Sequence, residues 1–365
     1  MPTNIHAYFW TAPLFLSQAI GAAERLVPEQ FPTVAAAASA SQPGDIISIA
    51  PGVYPIGLLT LPGHNLTIQG RGNRSDTVLT GAGLLLTPTS ASRSIAKLTM
   101  RSCTEYGAIE IRGCSALIAD VDFDQCIHGV FLRDGGTAST NGCMFRSGVR
   151  GGYAYTSSQW NATDCVFLNN NCTGAYGGGA AFHVGSGGAF NRCAFIGNSA
   201  AAGGAIGLSF GGSRSFNDCY FENNQSVAGP VWWTEFGASG TLLNSILCGH
   251  NQGDLVGSWS DGGGNVFVPE GCVDCNADGK ADWGQIFLGE LVDNDANGVP
   301  DICDIDLCPG DITNGGTVDA ADLSILLAAW GTNGQAEFDT DIDGSGHVDG
   351  ADLALVLSGW GPCNP

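Results

Sequence analysis

Basic residues are scarce in this 365-residue chain, which holds 13 Lys and Arg against 35 Asp and Glu and carries a formal net charge of −22. Residues 271–365 contain 18 of the acids and a single base, Lys280, so the negative charge is concentrated towards the C-terminal end. A protein that binds nucleic acid needs a basic surface, and this composition therefore argues against a nucleic-acid partner. Acidic clusters of this kind favour cations instead.

The chain also lacks an apolar run long enough to form a transmembrane helix. The apolar stretch from Ala7 to Ile20 suits the core of a secretion signal that ends at Gly21-Ala22-Ala23, although no Lys or Arg precedes it. We therefore treat residues 1–23 as a candidate signal peptide, with a truncated or misassigned start as the alternative. Fourteen cysteines favour a secreted, extracellular or cell-surface location, where disulfides form and persist.

A repeated pattern runs through the middle of the chain, where glycine-rich loops separate four similar segments. The segments read NGCMF, ATDCVFLNN, NRCAFIGN and NDCYFENN, and they align on Cys143, Cys165, Cys193 and Cys219. A phenylalanine follows two positions after each cysteine, which places both side chains on one face of a short strand. Weaker repeats extend the cysteine column to Leu98, Val121 and Ile246, and the aromatic column to Met100, Phe123 and Cys248. Short strands repeated in register predict a β-solenoid.

Two columns of asparagine accompany these repeats. One precedes the cysteine, at Asn141, Asn191, Asn217 and Asn244, and the other follows the aromatic residue, at Asn170, Asn198, Asn224 and Asn251. Because asparagine tolerates left-handed backbone, we predict a tight bend at the first column, and we expect the amides to bond to the repeat above. We also predict that the four aligned cysteines are buried thiols, since parallel stacked side chains lie too far apart for good disulfide geometry. Cys103 and Cys126 lie in the second column, nearer the surface, and could pair.

The segments FLNN, FIGN and FENN share the pattern FxxN, and GGAA (178–181) and GGAI (203–206) share GGA. These motifs resemble the repeats of polymorphic-membrane-protein-like right-handed parallel β-helices. The stretch from Phe31 to Tyr54 resembles the N-terminal cap of pectin-lyase-like β-helices, with a short helix, a Pro-Gly-Asp turn and a first strand. The resemblance implies a mostly-β chain with a right-handed parallel β-helix over residues 24–270. This fold hosts lyases, hydrolases, adhesins and spacers, so the fold alone does not assign an activity.

The strand before each bend offers candidate ligand-binding residues on its outer face. Ten residues before the aligned cysteines stand Arg133, Tyr155, His183 and Ser209, and Arg112 lies close to this column. Arginine and aromatic rings suit anionic or neutral sugars through bidentate contacts and stacking, but exposed strands also carry such residues for cross-strand pairing.

No close carboxylate pair for acid and base work on a glycosidic bond is evident in the sequence, and the catalytic residues stay unassigned. We therefore favour non-catalytic binding or display of surface or carbohydrate ligands. The alternative is a polysaccharide lyase or O-glycosyl hydrolase acting in polysaccharide degradation, and a purely structural spacer is a third hypothesis.

Carboxylates near the C-terminal end follow the spacing of a calcium loop, which offers oxygens at positions 1, 3, 5, 7, 9 and 12 and has glycine at position 6. The segment DIDGSGHVDGAD fits this frame with Gly346 at position 6; its ligands would be Asp341, Asp343, Ser345, the carbonyl of His347, Asp349 and Asp352. The segment DITNGGTVDAAD repeats the frame thirty residues earlier, with Asp311, Thr313, Thr317, Asp319 and Asp322. Gly315 brings no side-chain oxygen to position 5, so we predict that this earlier loop binds calcium more weakly.

Two further acidic loops lie between residues 271 and 306. Their candidate ligands are Asp274, Asn276, Asp278 and Asp282, with Gln285 at position 12, and then Asp293, Asp295, Asn297, Asp301 and Asp304. These loops resemble thrombospondin-type-3 calcium repeats, and a solvated acidic linker is the alternative.

An amphipathic helix follows each of the last two loops and ends in Trp-Gly, at Trp330 and Trp360. The two loop-helix units resemble a type I dockerin domain over residues 307–365, which implies bound Ca²⁺ and a cohesin-like or cell-surface partner. Cys308 and Cys363 bracket the units almost symmetrically, and two units related by a pseudo-twofold axis bring their outer ends together. We therefore predict a Cys308–Cys363 disulfide.

Overall fold

A computed structural model of the protein describes residues 22–275, 278, 280–293, 299, 300, 302, 303, 310–313, 315–334 and 340–362. The chain divides between Cys272 and Val273 into two compact units. Across the described ranges, no helix is long and apolar enough to cross a membrane. The predicted Cys308–Cys363 disulfide lies outside the described residues.

The N-terminal unit begins with a cap that the sequence predicts. Strand β1 (Glu24–Val27) pairs with β2 (Ile46–Ile49), and helix α1 (Val34–Ala40) lies between them in the chain. Thr33 begins the helix, because its side-chain oxygen accepts a hydrogen bond from the backbone N–H of Ala36 at 3.1 Å. The buried carboxylate of Asp45 accepts hydrogen bonds from the backbone N–H groups of Ala23 and Gln42, which fixes the turn before β2.

The rest of this unit is a parallel solenoid in which each turn of the chain contributes up to three short strands. The first stack, which carries the candidate ligand-binding column, contains β3 (Gly52–Thr60), β5 (Thr77–Leu86), β7 (Ile109–Arg112), β9 (His128–Arg133), β12 (Arg150–Ala154), β16 (Ala180–Phe182), β20 (Ile206–Ser209), β24 (Trp232–Glu235) and β27 (Leu255–Val256). The second stack contains β4 (Leu66–Gly70), β6 (Arg93–Arg101), β8 (Ser115–Asp124), β10 (Thr137–Asn141), β13 (Gln159–Thr163), β17 (Gly188–Asn191), β21 (Ser213–Asn217), β25 (Ser239–Leu243) and β28 (Ser260–Asp261).

The third stack carries the repeated phenylalanines. It consists of the N-terminal parts of β3 and β5 and the C-terminal halves of β6 and β8, with β11 (Met144–Arg146), β14 (Val166–Leu168), β18 (Ala194–Ile196), β22 (Tyr220–Glu222), β26 (Ile246–Cys248) and β29 (Val266–Val268). A small side sheet is formed by β15 (Asn171–Tyr176), β19 (Ser199–Ala202) and β23 (Gln225–Ala228), and a 3₁₀ turn covers Gln252–Asp254. All pairings of the solenoid strands are parallel, as a β-helix requires.

Ladders of identical side chains fill the interior, which confirms the predicted register. Phe145, Phe167, Phe195 and Phe221 are fully buried, and their ring centroids stack 4.5 to 5.1 Å apart. The four aligned cysteines are buried beside them as free thiols. The glycines of the GGA motifs allow this packing: a Cβ at Gly179 would stand 2.7 Å from a ring carbon of Phe195.

Two details of the predicted register are wrong. The left-handed residue is the one directly before the cysteine, at Gly142, Asp164, Arg192 and Asp218, because the strand continues through the asparagine before it bends. In the next repeat Asn244 is left-handed, and Ser245 rather than Ile246 takes the cysteine position. Leu247 therefore pairs with Phe221, which leaves Cys248 free to form a disulfide with Cys272.

The second asparagine column forms a buried amide ladder. The Asn170 side chain donates to Asn198 Oδ1 at 2.9 Å, and the Asn198 side chain donates to Asn224 Oδ1 at 3.1 Å. His250, not Asn251, continues the column: its Nε2 accepts from the backbone N–H of Asn224 at 3.2 Å. Asn251 caps the 3₁₀ turn instead.

Cys103 and Cys126 begin this column, and the hypothesis that they lie nearer the surface and pair is wrong. Both are 2% exposed free thiols.

The C-terminal unit is built from short helices around a small apolar core. Its elements are α2 (Asp282–Leu288), β30 (Thr317–Val318), α3 (Ala320–Ala328), α4 (Gly350–Ser358) and β31 (Gly361–Pro362). The antiparallel pair of β30 and β31 joins the first loop to the end of the second helix. Val318, Leu326, Val348 and Val356 are buried between the two loop-helix units. A disulfide joins Cys275 to Cys303.

Candidate functional site

The first stack brings the predicted ligand-binding residues into one column on its outer side. Arg112 pairs with Arg133. The backbone N–H of Tyr155 donates to Leu132 and that of His183 donates to Ala154, which continues the register one strand at a time. Ser209 and Glu235, which pair with each other, are the next members of the column. The predicted residues and Ser209, which the same count gives, are therefore neighbours, and Glu235 makes the column one strand longer than the sequence indicates.

Aromatic rings gather around this column and form a surface that we call the aromatic face. Its members are Tyr106, Phe131, Tyr153, Tyr155, Tyr176, His183, Phe210, Trp233 and Phe236. The rings of Tyr155 and His183 stack with centroids 5.2 Å apart, and Phe210 meets His183 edge-on at 4.8 Å. Because the contacts run from strand to strand, the face follows the solenoid axis over successive turns.

Phe210 and Phe236 are the two unusual members of this face. Each follows a column residue at the end of its strand, and each has a left-handed backbone, with φ of 56° and 48°. Left-handed backbone is unfavourable for a bulky residue, whereas glycine or asparagine adopts it readily. The two rings stack 4.5 Å apart, yet the residues stay 45% and 64% exposed. They contribute little to the core, so the fold itself gives no reason for phenylalanine at these positions.

The sequence does carry a signal for this pair. Phe-Gly follows the column residue in two successive repeats, as Phe210-Gly211 after Ser209 and as Phe236-Gly237 after Glu235. Counting alternate residues along a strand identifies those on its outer face, but the count ends where the strand ends. It therefore misses residues that project from the bend.

Charges at the N-terminal end of the face are paired with one another. The guanidinium of Arg112 lies 2.7 Å from the carboxylate of Glu110, and that of Arg133 lies 3.6 Å from the same carboxylate and 3.1 Å from Asp134. The hydrogen bond to Glu110 raises the pKa of Arg112. Both predicted ligand-binding arginines are thus already neutralised by the protein.

The remaining polar groups of the face lie in apolar surroundings. Arg150 sits over the ring of Tyr153 at 5.1 Å and donates from Nε to the carbonyl of Tyr176 at 3.0 Å. Burial lowers the pKa of His183 and raises that of Glu235, because both charged forms are poorly solvated there. His183 is consequently a neutral hydrogen-bonding group at neutral pH.

In the C-terminal unit, the carboxylates of Asp341, Asp343 and Asp352 converge, and their oxygens lie within 4.8 Å of one another. The backbone N–H of Gly346 donates to Asp341 at 2.7 Å, which closes the loop around them. Burial raises the pKa of Asp352, but hydrogen bonds from the backbone N–H groups of Asp349 and Asp343 outweigh this effect and lower it overall. Three clustered oxygen ligands of this kind fit a hard cation such as Ca²⁺.

The earlier loop has the same backbone arrangement with fewer free oxygens. Thr313 donates its hydroxyl to Asp322 at 2.8 Å and to Asp311 at 3.3 Å, and so it bridges the two carboxylates. The backbone N–H groups of Gly315 and Gly316 donate to Asp311. Asp319 and Asp349 each form a capping box at the start of the following helix, which ties each loop to α3 or α4.

The two loops before residue 306 are described only in part. Asp274 accepts from the backbone N–H of Asp278 at 3.1 Å, as a turn of this frame requires. Asp282 is buried and accepts from the backbone N–H of Cys275, and the Gln285 side chain donates to Asp278. The predicted ligands that lie outside the described residues are Asn276, Asp295, Asn297, Asp301 and Asp304.

Comparison with known proteins supports the solenoid. A family model for the right-handed β-helix region matches residues 82–267, which is half of the chain. The chain belongs to the right-handed β-helix family. Among curated protein sequences, none matches this β-helix chain.

Several solved structures resemble part of this chain at low sequence identity. An open-reading-frame 18 protein of Geobacillus virus E2 is 15% identical, with 63% of this chain and 52% of that chain covered and a TM-score of 0.42. The PL6 family alginate lyase AlyGC is 13% identical, with 67% and 40% covered and a TM-score of 0.38. The pectin methylesterase of Aspergillus niger is 15% identical, with 69% and 87% covered and a TM-score of 0.33. This β-helix chain thus spans about half of the viral protein and less than half of the lyase.

Proposed function

We propose that this protein is a secreted β-helix protein that binds polysaccharide along its aromatic face and does not cleave it. The observation that carries the proposal is the exposed Phe210–Phe236 pair, held in left-handed backbone that asparagine or glycine would adopt more easily. The bend itself requires this backbone, because Asp134, Thr156 and Val184 adopt it at the equivalent positions of preceding turns. What the fold does not require is a large exposed ring there, and such a residue is characteristic of a binding surface. An apolar surface rimmed by polar groups is likewise characteristic of binding surfaces.

The chemistry of the face suits a glycan. Sugar rings present C–H groups on their faces and hydroxyls at their edges, so they pair with aromatic side chains that combine an apolar ring and a polar tip. Tyr155, Tyr176 and His183 supply such tips beside the apolar rings of Phe210 and Phe236. The face runs across successive strands, which stack about 4.8 Å apart, and a polymer lying along the solenoid axis would meet a new ring on each turn.

Binding without cleavage accounts for the placement of the carboxylates. Hydrolysis of a glycosidic bond commonly needs two carboxyl groups on either side of it. Among the described residues of the face, Glu110 and Asp134 are engaged by arginines, and Glu235 lies at the opposite end. Glu235, whose pKa is raised by burial, is the carboxyl that a hydrolase would use as the acid. Cleavage is therefore the second candidate, and it makes a different experimental prediction.

For the C-terminal unit we propose calcium binding and attachment to a cohesin-like or cell-surface partner. The converging carboxylates of Asp341, Asp343 and Asp352 support the calcium site, because negatively charged oxygens within 4.8 Å of one another repel and favour a hard cation between them. Calcium would neutralise this repulsion and hold the loop against α4. Two disulfides support the secreted location.

One experiment separates the candidate functions. The full chain, in calcium-containing buffer, is mixed with a panel of soluble polysaccharides, and both retention and released sugar are measured. We expect retention with no new reducing or unsaturated ends. Released ends that disappear in Glu235→Gln would assign the protein to the hydrolases, and unsaturated ends that persist in that variant would indicate a lyase. A chain that is neither retained nor active would favour a structural spacer.

A further inference from the structure

Cations are almost absent from the part of the chain that forms most of the aromatic face. Between residues 151 and 275, all of which the structure describes, the basic residues are Arg192 and Arg214. Arg192 lies at the bend after β17 and is paired with Asp164 at 2.7 Å. Arg214 is 3% exposed, and its guanidinium lies over the ring of Phe182 inside the solenoid. Strands β16, β20 and β24 therefore present aromatic rings to a ligand without a cation beside them.

The arginines at the N-terminal end of the face are not available to bind an anionic ligand, because carboxylates of the protein already pair with them. Arg112 and Arg133 are neutralised by Glu110 and Asp134, and the Glu110 side chain is only 5% exposed. Within the described part of the chain, Arg150 is the one cation of the face for which no carboxylate partner is found. An anionic polysaccharide carries charge along its length, and its recognition needs a cation at several successive subsites. The face offers one, Arg150, over the ring of Tyr153 and against the carbonyl of Tyr176.

The net charge acts in the same direction. Residues 1–270, which include the β-helix, hold 17 Asp and Glu against 12 Lys and Arg, a net charge of −5 that disfavours approach of a polyanion. His183 adds no positive charge, because burial lowers its pKa. Besides Arg150 and the carboxylate of Glu235, the face carries hydroxyls, a neutral imidazole and apolar rings, which are the partners of sugar hydroxyls and C–H faces.

We infer that the ligand of the aromatic face is an uncharged polysaccharide, bound through ring contacts and neutral hydrogen bonds. This inference rests on the proposed function of the face and narrows it to a class of substrate. It excludes polyuronates and sulfated glycans as the natural ligand.

The test uses a pair of polymers with one backbone and different charge, hydroxyethyl cellulose and carboxymethyl cellulose, and adds methyl-esterified and de-esterified polygalacturonate as a second pair. Retention of the full chain is measured by affinity electrophoresis at low and at high salt. We expect the uncharged member of at least one pair to be retained about tenfold more tightly than its charged partner, which is about 1.4 kcal/mol, with little change on adding salt. Phe236→Asn should weaken this retention about tenfold or more, and Val227→Asn, on the side sheet, should leave it unchanged.

The outcomes separate the inference from the function on which it rests. Tighter retention on the charged members, weakened in Phe236→Asn, would overturn the inference and leave polysaccharide binding by the face intact. Retention on no polymer, or retention that Phe236→Asn leaves unchanged, would overturn both. If Phe236→Asn is poorly folded, Tyr155→Ser serves as the second face variant, with far-ultraviolet circular dichroism as the check on folding.

Discussion

Replacing Phe236 with asparagine is the sharpest test of the claim that binding, and not folding, explains this residue. The substitution removes a ring that is 64% exposed and stacks 4.5 Å from Phe210, a contact worth about 0.5–1.5 kcal/mol. It also relieves a left-handed phenylalanine, which is unfavourable by about 1–2 kcal/mol, because asparagine tolerates φ of 48°. The two effects oppose each other, so we expect the free energy of unfolding to change by no more than about 1 kcal/mol.

Polysaccharide binding, by contrast, should weaken about tenfold or more, since the variant loses an exposed ring at one end of the face. Unfolding is followed by thermal melting and denaturant titration, and binding by affinity electrophoresis on the same preparations. Val227→Asn is the control, because Val227 is 97% exposed and lies on the side sheet. A loss of several kcal/mol in stability would show that Phe236 is needed for the fold. Unchanged binding would refute the role of the aromatic face.

Three further predictions concern the interior and the C-terminal unit. Phe195→Ala removes a fully buried ring from the phenylalanine stack and should destabilise the solenoid by about 3–5 kcal/mol in denaturant titration; a loss below about 1 kcal/mol would contradict the stack. Asp341→Ala should eliminate the tighter of two calcium sites in a calorimetric titration and leave the weaker one; two equal sites in the unchanged chain would contradict the proposed difference between the loops. Burial lowers the pKa of His250 below its usual 6.5, although Asp254 opposes this shift, so its neutral form stabilises the amide ladder at higher pH. That contribution should be lost as the pH falls below about 6.5, and His250→Asn should flatten this part of the stability profile relative to the parent; parallel profiles would disprove the role of His250.

Much of the solenoid follows from the sequence because its repeats are in register with its strands. The cysteine-to-phenylalanine spacing of two fixes which side chains point inward, and Phe195 and Cys193 are buried for that reason. The N-terminal helix at Val34–Ala40 agrees with the short helix that the resemblance of Phe31 to Tyr54 to pectin-lyase-like caps implies. The column of Arg133, Tyr155 and His183 can also be counted along the chain, because each turn of the solenoid returns the strand to the same position.

The register of the last turns of the solenoid could not be read from the sequence, because it depends on three-dimensional packing. Sequence spacing alone could not show that Ser245 takes the cysteine position, because loop lengths vary between repeats and a shift of one residue reverses every side chain. His250 replaces asparagine in the amide ladder because its imidazole nitrogen can accept the same backbone hydrogen bond. The Cys248–Cys272 disulfide could not be predicted from the sequence, because the pairing depends on which cysteines the fold brings together. In the structure their Cα atoms lie 5.2 Å apart.

Of the two candidate sites, the calcium loop can be predicted from the sequence, whereas the aromatic face cannot. The spacing of Asp341, Asp343 and Asp352 indicates a calcium loop from the sequence alone, because all the ligands come from one short segment. The aromatic face is assembled from residues on successive turns, as distant in the chain as Tyr106 and Phe236, and from rings that project at bends. Only the tertiary structure places Tyr176 against Trp233 and Phe210 against Phe236, because contacts between turns depend on how the loops between them pack.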